Sequence, residues 1–293
     1  MTTLHTRLEI RPALDSEAHA GQHRLALDVP FEKAAALGRS VVEAARQGFY
    51  VTAAQQRVDI ADLIADACAR KVSVPPDAVL PPARGAQYAT TVVQVVNDTT
   101  FEAARQLIAE GLRPAALNFA NGTRAGGGFL RGARAQEEVL CRSSALYSTL
   151  LGDPMYPHHA ARGLPDSTDW VIVSPAVPVF RTDAGEWLDA PWPLDILTCA
   201  APYAPTVGQP RSGDLLQQRI GRVLDVAAAY GYDTLVLGAW GCGAFGNDTA
   251  RTARDFRQAL EGPAGHAFRH VTFAITDWSV ERRFLGPFAG VFS

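Results

Sequence analysis

The residues with most chemical promise lie in one stretch: Gly126-Gly127-Gly128, a spacer over 129–135, and then Gln136-Glu137-Glu138. Two carboxylates can divide a hydrolysis, one orienting a ligand hydroxyl while the other exchanges a proton with a scissile oxygen. Neighbouring residues of a helix point ~100° apart around its axis, so Glu137 and Glu138 cannot share one task. Acidic residues in a first helical turn are also ordinary partners of the helix dipole, which leaves both readings open on spacing alone. A helix start favours an ionised carboxylate, whereas a general acid must hold its proton. Such an acid is expected to be competent chiefly with substrate bound.

A second glycine-rich stretch is Gly238-Ala239-Trp240-Gly241-Cys242-Gly243-Ala244-Phe245-Gly246-Asn247. Backbone without Cβ atoms can approach a ligand closely, and successive amides at a helix start present positive partial charge, so both loops suit phosphate. Neither is a P-loop or the usual dinucleotide fingerprint. Arg124, Arg131, Arg134 and Arg142 crowd the first loop and suit an anionic ligand, in a chain of net charge -3. Cys242 could act as a nucleophile, but no histidine lies near it in sequence to activate it. His266 and His270 have the spacing of metal ligands without an acidic or cysteine partner, and His158 and His159 form a bare loop pair. Neither a metal nor a cofactor is expected.

Ligands of open α/β sheets bind beyond the carboxyl ends of strands, which directs attention to the elements before these loops. Strand-like runs over 91–97 and 115–119 alternate with helical patterns over 101–110 and 137–151. Further strands are expected over 170–174, 194–199, 234–237 and 268–275. A helix carries Leu216, Ile220, Val223, Ala227 and Tyr230, and another covers 249–260. This alternation predicts an α/β fold, a three-layer α/β/α sandwich on a largely parallel or mixed sheet. Upstream, Val41, Val42, Ala45, Ile60, Leu63, Ile64 and Ala67 recur at helical steps and predict two helices between Phe31 and Lys71, broken near Gly48. The proline-rich stretch over 74–84 marks a connection. The expected division is an N-terminal arm and helical extension over 1–84 and a catalytic domain over 85–293. The first thirty residues lack periodicity and read as a mobile or loosely packed arm.

At 293 residues, 47% hydrophobic and 19% charged, the chain is neither disordered nor fibrous. The balance of 27 Lys plus Arg against 30 Asp plus Glu argues against a protein that coats duplex nucleic acid. No apolar run approaches the ~18 residues of a membrane span, and the polar start lacks a signal-peptide core. Cys68, Cys141, Cys199 and Cys242 are scattered and read as reduced thiols. The expectation is a cytoplasmic protein with no membrane partner.

These motifs resemble those of the bacterial-type poly(ADP-ribose) glycohydrolases, which carry a triple glycine and, after a short spacer, Gln-Glu-Glu within a macrodomain fold. The likeness continues through Leu140-Cys141-Arg142-Ser143-Ser144-Ala145-Leu146-Tyr147 and the second glycine loop, and spans roughly residues 41–275. Ala125 stands where many relatives have proline. The resemblance implies hydrolysis of ribose-ribose O-glycosidic bonds, with poly(ADP-ribose) or ADP-ribosylated proteins as substrate and ADP-ribose as product. It implies that Glu138 protonates the leaving ribose oxygen and then assists water, and that Glu137 fixes a ribose hydroxyl. Asn121 would bind the distal ribose, Phe245 would pack on it, and Gln136 would order the catalytic turn. The backbone of Gly127, Gly128 and Phe129 on one side and of Gly241, Cys242, Gly243 and Ala244 on the other would cradle the diphosphate, and Gly126 and Gly238 would also bind substrate. Likeness to macrodomains at large places Asp98, Thr99 and Thr276 near adenine. A non-catalytic ADP-ribose reader would use the same loops, as would a mono-ADP-ribosyl or O-acyl-ADP-ribose hydrolase. Glu138 separates the reader from the enzymes.

Overall fold

A computed structural model of the chain describes residues 6–83 and 88–293. Its strands are β1 (Arg7–Ile10), β2 (Phe49–Val51), β3 (Arg57–Asp59), β4 (Val72–Val74), β5 (Thr90–Val96), β6 (Pro114–Ala120), β7 (Val171–Arg181), β8 (Trp187–Ala200), β9 (Thr234–Leu237) and β10 (His270–Ala274). Eight of them form one sheet in the order β1-β5-β10-β9-β6-β8-β7-β4, and β2 and β3 pair separately. Neighbours run parallel from β1 across to β8, while β7 is antiparallel to β8 and β4 is antiparallel to β7. The sheet is therefore mixed.

Parallel strands with both faces covered need apolar residues at nearly every position. β9 and β10 are buried throughout, and β6 at all but one position. Successive side chains point to opposite faces, which builds two cores. Leu117, Leu235, Leu237 and Phe273 meet Leu216, Ile220 and Val223 of the helix Arg211–Ala229, together with Phe256 and Phe288. Ala116, Val236, Ile172 and Ile196 meet Val41, Phe101, Leu107, Leu140 and Leu146 on the other face. Burying each leucine-sized side chain contributes roughly 1.5–3 kcal/mol. The three layers that result leave the carboxyl ends of β5, β10, β9 and β6 side by side.

The expectation of a loosely packed arm is corrected for residues 6–30. β1 pairs in parallel with β5 at the sheet edge, and Leu14 donates its amide to Val95 O at 2.9 Å. The helix Glu17–Leu27 follows, capped by Ser16, whose hydroxyl accepts the His19 amide. Arg282 grips its start through Asp15 at 2.8 Å and Glu17 at 2.6 Å. A four-residue edge strand has too few positions to show an alternation, so its partner on β5 decides its structure. The expected boundary at 84/85 lies outside the described residues; β1 and β4, both before it, belong to the main sheet.

Gly48 does break the upstream helices: at φ 79° it ends the helix Phe31–Gln47 in the left-handed region that favours glycine. The β2–β3 hairpin then intervenes before the helix Ala61–Arg70. The single helix expected over 137–151 is two, Gln136–Ser143 and Leu146–Leu150. Ser144 is extended and bridges to Val179, and Ala145 donates to Pro178 O at 3.0 Å, so β7 competes successfully for this backbone. β7 and β8 also run longer than expected because Pro175, Pro178, Pro191 and Pro193 disguise them. A bulge between Ser174 and Val177 absorbs the first proline, with Ala176 N donating to Asp195 Oδ1 at 2.6 Å.

The N-terminal segment is stitched to the sheet through buried Asn97, whose Nδ2 donates to Asp15 Oδ1 at 2.7 Å and to Asp277 O at 2.8 Å. Its Oδ1 accepts the Asp277 amide at 3.0 Å. Asn97→Ala is expected to lower the unfolding free energy by about 2–3 kcal/mol, read from urea denaturation, because it strands buried partners.

Candidate active site

A cavity of about 370 Å³ opens across the carboxyl ends of β5, β10, β9 and β6. Among its walls are Asp98 and Thr99 after β5, Thr276 after β10, Gly241, Gly243, Ala244 and Phe245 after β9, and Asn121 after β6. Gln136, Glu137 and Glu138 line it from the start of the helix Gln136–Ser143. The volume falls within the range of roughly 300–1,000 Å³ usual for small-molecule pockets.

Local backbone needs explain why that helix starts there. β6 runs beyond its last pairing with β9 at Ala116, and the Gln136 side chain takes over the vacated edge. Its Oε1 accepts the Phe119 amide at 2.9 Å, while its Nε2 donates to Leu117 O at 2.7 Å and to Thr100 Oγ1 at 3.1 Å. This pins the helix start to the sheet and delivers Glu137 and Glu138, both buried, to the cavity. Glu137 Oε2 accepts the Asn121 amide at 2.7 Å, and the Gly126 amide and Asn118 also hold this carboxylate. Burial pushes the Glu137 carboxyl well above the usual carboxylate range, and the neighbouring charge of Glu138 adds to the shift. Glu138 Oε1 accepts the Gly128 amide at 2.9 Å, which leaves Oε2 to serve a ligand.

The two glycine loops therefore do different work. In the first, Gly126 serves Glu137, Gly127 donates to Arg124 O, Gly128 serves Glu138 and Phe129 donates to Gly126 O. The amides expected to cradle a diphosphate at Gly127 to Phe129 are thus committed internally, and Gly126 to Phe129 are not among the lining residues. Phe129 is buried against Tyr147 with ring centroids 4.7 Å apart. Gly127 sits at φ 57°, and a Cβ there would collide with both carboxylates. In the second loop the exposed amides of Gly243 and Ala244 donate to no acceptor among the described residues. Asn247 sets that loop by donating to Pro202 O at 2.9 Å and Gly241 O at 3.1 Å. Gly238 packs under it against Ala274 and Phe119, and Cys242 is buried there, its thiol pushed up to about 11 by burial. Neither lines the cavity.

Asn121 folds its own Oδ1 back onto the amides of Thr123 and Arg124, both at 3.0 Å, which leaves its amide nitrogen as a donor without an acceptor among the described residues. Phe245 packs edge-on to Tyr203. Both oxygens of Asp98 are engaged, by His23 at 3.2 Å, the Thr99 amide at 2.8 Å and Gln106 at 2.8 Å. Of the four arginines expected near the anion, only Arg134 lines the cavity, tied to Asp28 at 2.6 Å. Arg124 and Arg131 are exposed. Arg142 is buried with no hydrogen-bond partner among the described residues.

Sequence reasoning missed Asn118, Leu27 and Asp183, and took His158 and His159 for a bare loop pair where the structure has the helix Met155–Ala160. Asn118 lies in the strand-like run over 115–119, but its reach to Glu137 at 3.5 Å depends on which face of β6 it occupies. His159 is a brace: its Nε2 accepts the Thr168 amide at 3.1 Å, so Nδ1 carries the proton and donates to Gly122 O at 3.0 Å, beside Asn121. Burial holds this imidazole down to about 4, so it is neutral near neutral pH.

Residues 38–182 match the family of the microbial-type PARG catalytic domain. Among solved structures, the poly(ADP-ribose) glycohydrolase of Thermomonospora curvata is 38% identical, with 89% of this chain and 99% of that chain covered at a TM-score of 0.83. The same enzyme bound to the inhibitor ADP-HPD is 39% identical, with 88% and 99% covered at 0.82. The enzyme of Deinococcus radiodurans in complex with ADP-ribose is 42% identical, with 78% and 96% covered at 0.72. No match was found among the curated proteins. The α/β/α sandwich with its mixed sheet is thus the macrodomain-like fold of these enzymes. The chain belongs to the microbial-type poly(ADP-ribose) glycohydrolase family.

Two outcomes are expected from this geometry. Gly127→Ala should fold yet lower kcat by about a hundredfold, because displacing the carboxylates by a fraction of an ångström spoils alignment. Glu137→Gln should unfold at a higher temperature than wild type above pH 4.5. A carboxyl whose folded pKa is raised from 4.5 contributes stability that is fully present below 4.5 and lost as pH rises, and glutamine has no such loss. Melting curves across pH should show the gain vanish toward pH 4.5.

Proposed function

We propose that this chain is a glycosidase that hydrolyses ribose-ribose O-glycosidic bonds of poly(ADP-ribose) and releases ADP-ribose. The observation that carries the reading is the pair of buried carboxylates, each gripped by glycine-loop amides, at the edge of a cavity whose far loop keeps its amides free. The free Gly243 and Ala244 amides take the diphosphate, Phe245 and the Asn121 amide nitrogen face the distal ribose, and Asp98, Thr99 and Thr276 stand toward adenine.

With substrate bound, Glu138 supplies the proton. As the bond from the anomeric carbon to the leaving ribose oxygen breaks, the Glu138 proton passes to that oxygen and positive charge develops at the anomeric carbon. The Glu138 carboxylate then takes a proton from water as the water oxygen bonds to the same carbon. Glu137 holds a ribose hydroxyl throughout, and its fixed position beside the Asn121 amide keeps the sugar in line. Gln136 and His159 support the end of β6 and the first loop, and Asn247 the second.

The unpaired cysteines support a reducing, cytoplasmic setting. Among the described residues no helix is long and apolar enough to cross a membrane. The net charge of -3 supports an enzyme that meets polymer rather than duplex nucleic acid.

Purified protein incubated with poly(ADP-ribose) should release free ADP-ribose, with turnover at least about a hundredfold lower in Glu138→Ala and Glu138→Gln. Both variants should still bind ADP-ribose. Full turnover in both would overturn the assignment of the acid, and binding without release by wild type would make the chain a reader.

A further inference from the structure

A second cavity, of about 620 Å³, opens at the end of the sheet opposite the first. One wall is the second half of the helix Thr100–Ala109 and the turn after it, which carry Arg105 and Arg113. The other is β8 around Trp192 and Asp195, joined by Ala176 of β7. Arg113 immediately precedes β6, and Asn121 of the first cavity immediately follows it. The length of that strand sets the two cavities roughly 20 Å apart, and the path around the protein surface is longer still.

The bulge between Ser174 and Val177 shapes this end of the molecule. Ala176 is held at φ 48°, in the left-handed region that a side chain disfavours, and its amide donates to Asp195 Oδ1 at 2.6 Å. Bulges and residues in such conformations recur where a binding site needs a side chain re-aimed. The bond fixes the Asp195 carboxylate and leaves Oδ2 without a partner among the described residues. Trp192 is fixed as well: it is half-buried, its ring edge-on to Phe101 with centroids 5.8 Å apart and planes at 82°.

Arg105 and Arg113 are exposed, and neither has a hydrogen bond or an ion pair with any described residue. In a chain of net charge -3 they are the cations of this cavity, and Asp195 is the one carboxylate in its lining. Two guanidinium groups beside an aromatic ring suit a phosphate joined to a flat base, because the forks pair with phosphate oxygens and the indole stacks on the base. Asp195 Oδ2 adds an acceptor for a ribose hydroxyl. A run of acidic side chains would meet the arginines but would bring no ring to Trp192 and no donor to Asp195.

We propose that this cavity holds a further ADP-ribose unit of the polymer whose end occupies the first cavity, with Arg105 and Arg113 on its diphosphate and Trp192 on its adenine. The inference rests on the reading of the chain as a poly(ADP-ribose) hydrolase and adds a second point of attachment for long polymer. A two-unit oligomer is too short to go around the protein and engages the first cavity alone. Two attachments on one polymer make the second an intramolecular event, which raises the local concentration of polymer ends at the first cavity.

The test measures initial rates of ADP-ribose release from long poly(ADP-ribose) and from a two-unit oligomer. Wild type is compared with Arg105→Glu plus Arg113→Glu, and with a control of equal charge change, Arg39→Glu plus Arg254→Glu, whose exposed arginines line neither cavity. The first variant should raise KM for long polymer about tenfold at unchanged kcat and leave KM for the oligomer as in wild type. The control should match wild type on both substrates, and Trp192→Leu should raise KM for long polymer only. An unchanged KM for long polymer in the first variant, an equal rise on both substrates, or an equal rise in the control overturns the inference. A rise confined to the arginine variant and absent from Trp192→Leu marks a groove for acidic chains and overturns it too. Each of these results leaves the proposed activity standing, whereas no release from either substrate by wild type overturns the activity and the inference together.

Discussion

Placing two adjacent carboxylates out of water is the constraint around which the rest of this structure is arranged. Burying a carboxylate is expensive unless hydrogen-bond donors replace its water, and here the donors are backbone amides of Asn121, Gly126 and Gly128. Those amides come from the end of β6 and from the loop that follows it. The loop must therefore fold back over the helix start that it precedes, closely enough that Gly127 has no room for a Cβ. Gln136 makes the closure durable by occupying the strand edge that β9 leaves open.

That constraint divides the labour between the glycine loops. A loop whose amides hold side chains cannot also offer them to a phosphate, and the first loop is spent in this way. The second follows a neighbouring strand of the same sheet, is set by Asn247, and leaves the amides of the cavity-lining Gly243 and Ala244 without an acceptor among the described residues. Parallel strand order places the two loops side by side, so a ligand that bridges them meets free amides on one side and held carboxylates on the other.

The remaining walls come from distant parts of the chain. The N-terminal helix brings Leu27 to the cavity and His23 to Asp98, and it stays there because β1 adds to the sheet edge and Arg282 clamps Asp15 and Glu17. The turn of the β7–β8 hairpin brings Asp183 to Thr99, next to the Asp98 that His23 pairs with. Of the prolines that obscure it in the sequence, Pro175 is accommodated by a bulge and Pro178 pairs in register with Pro193. Arg142 lies buried behind the acidic groups, and its charge acts on both Asp183 and Glu138.

Short-range order was legible in the sequence alone. Glycine runs, the acidic pair, the apolar runs of β6, β9 and β10 and the helical break at Gly48 depend on steric freedom and on periodic burial, which neighbouring residues specify together. From these follow the layered α/β architecture and the loops that form the site. Tertiary structure alone decided which amides were spent and which were free, that residues 6–30 join the sheet, that the helix breaks at Ser144, and that Asp183 arrives beside Thr99. Each of these depends on a partner that folding brings from far along the chain. A four-residue strand, an extended serine or a single aspartate carries no periodic signal of its own, and only packing supplies the hydrogen-bond partner that gives it a role.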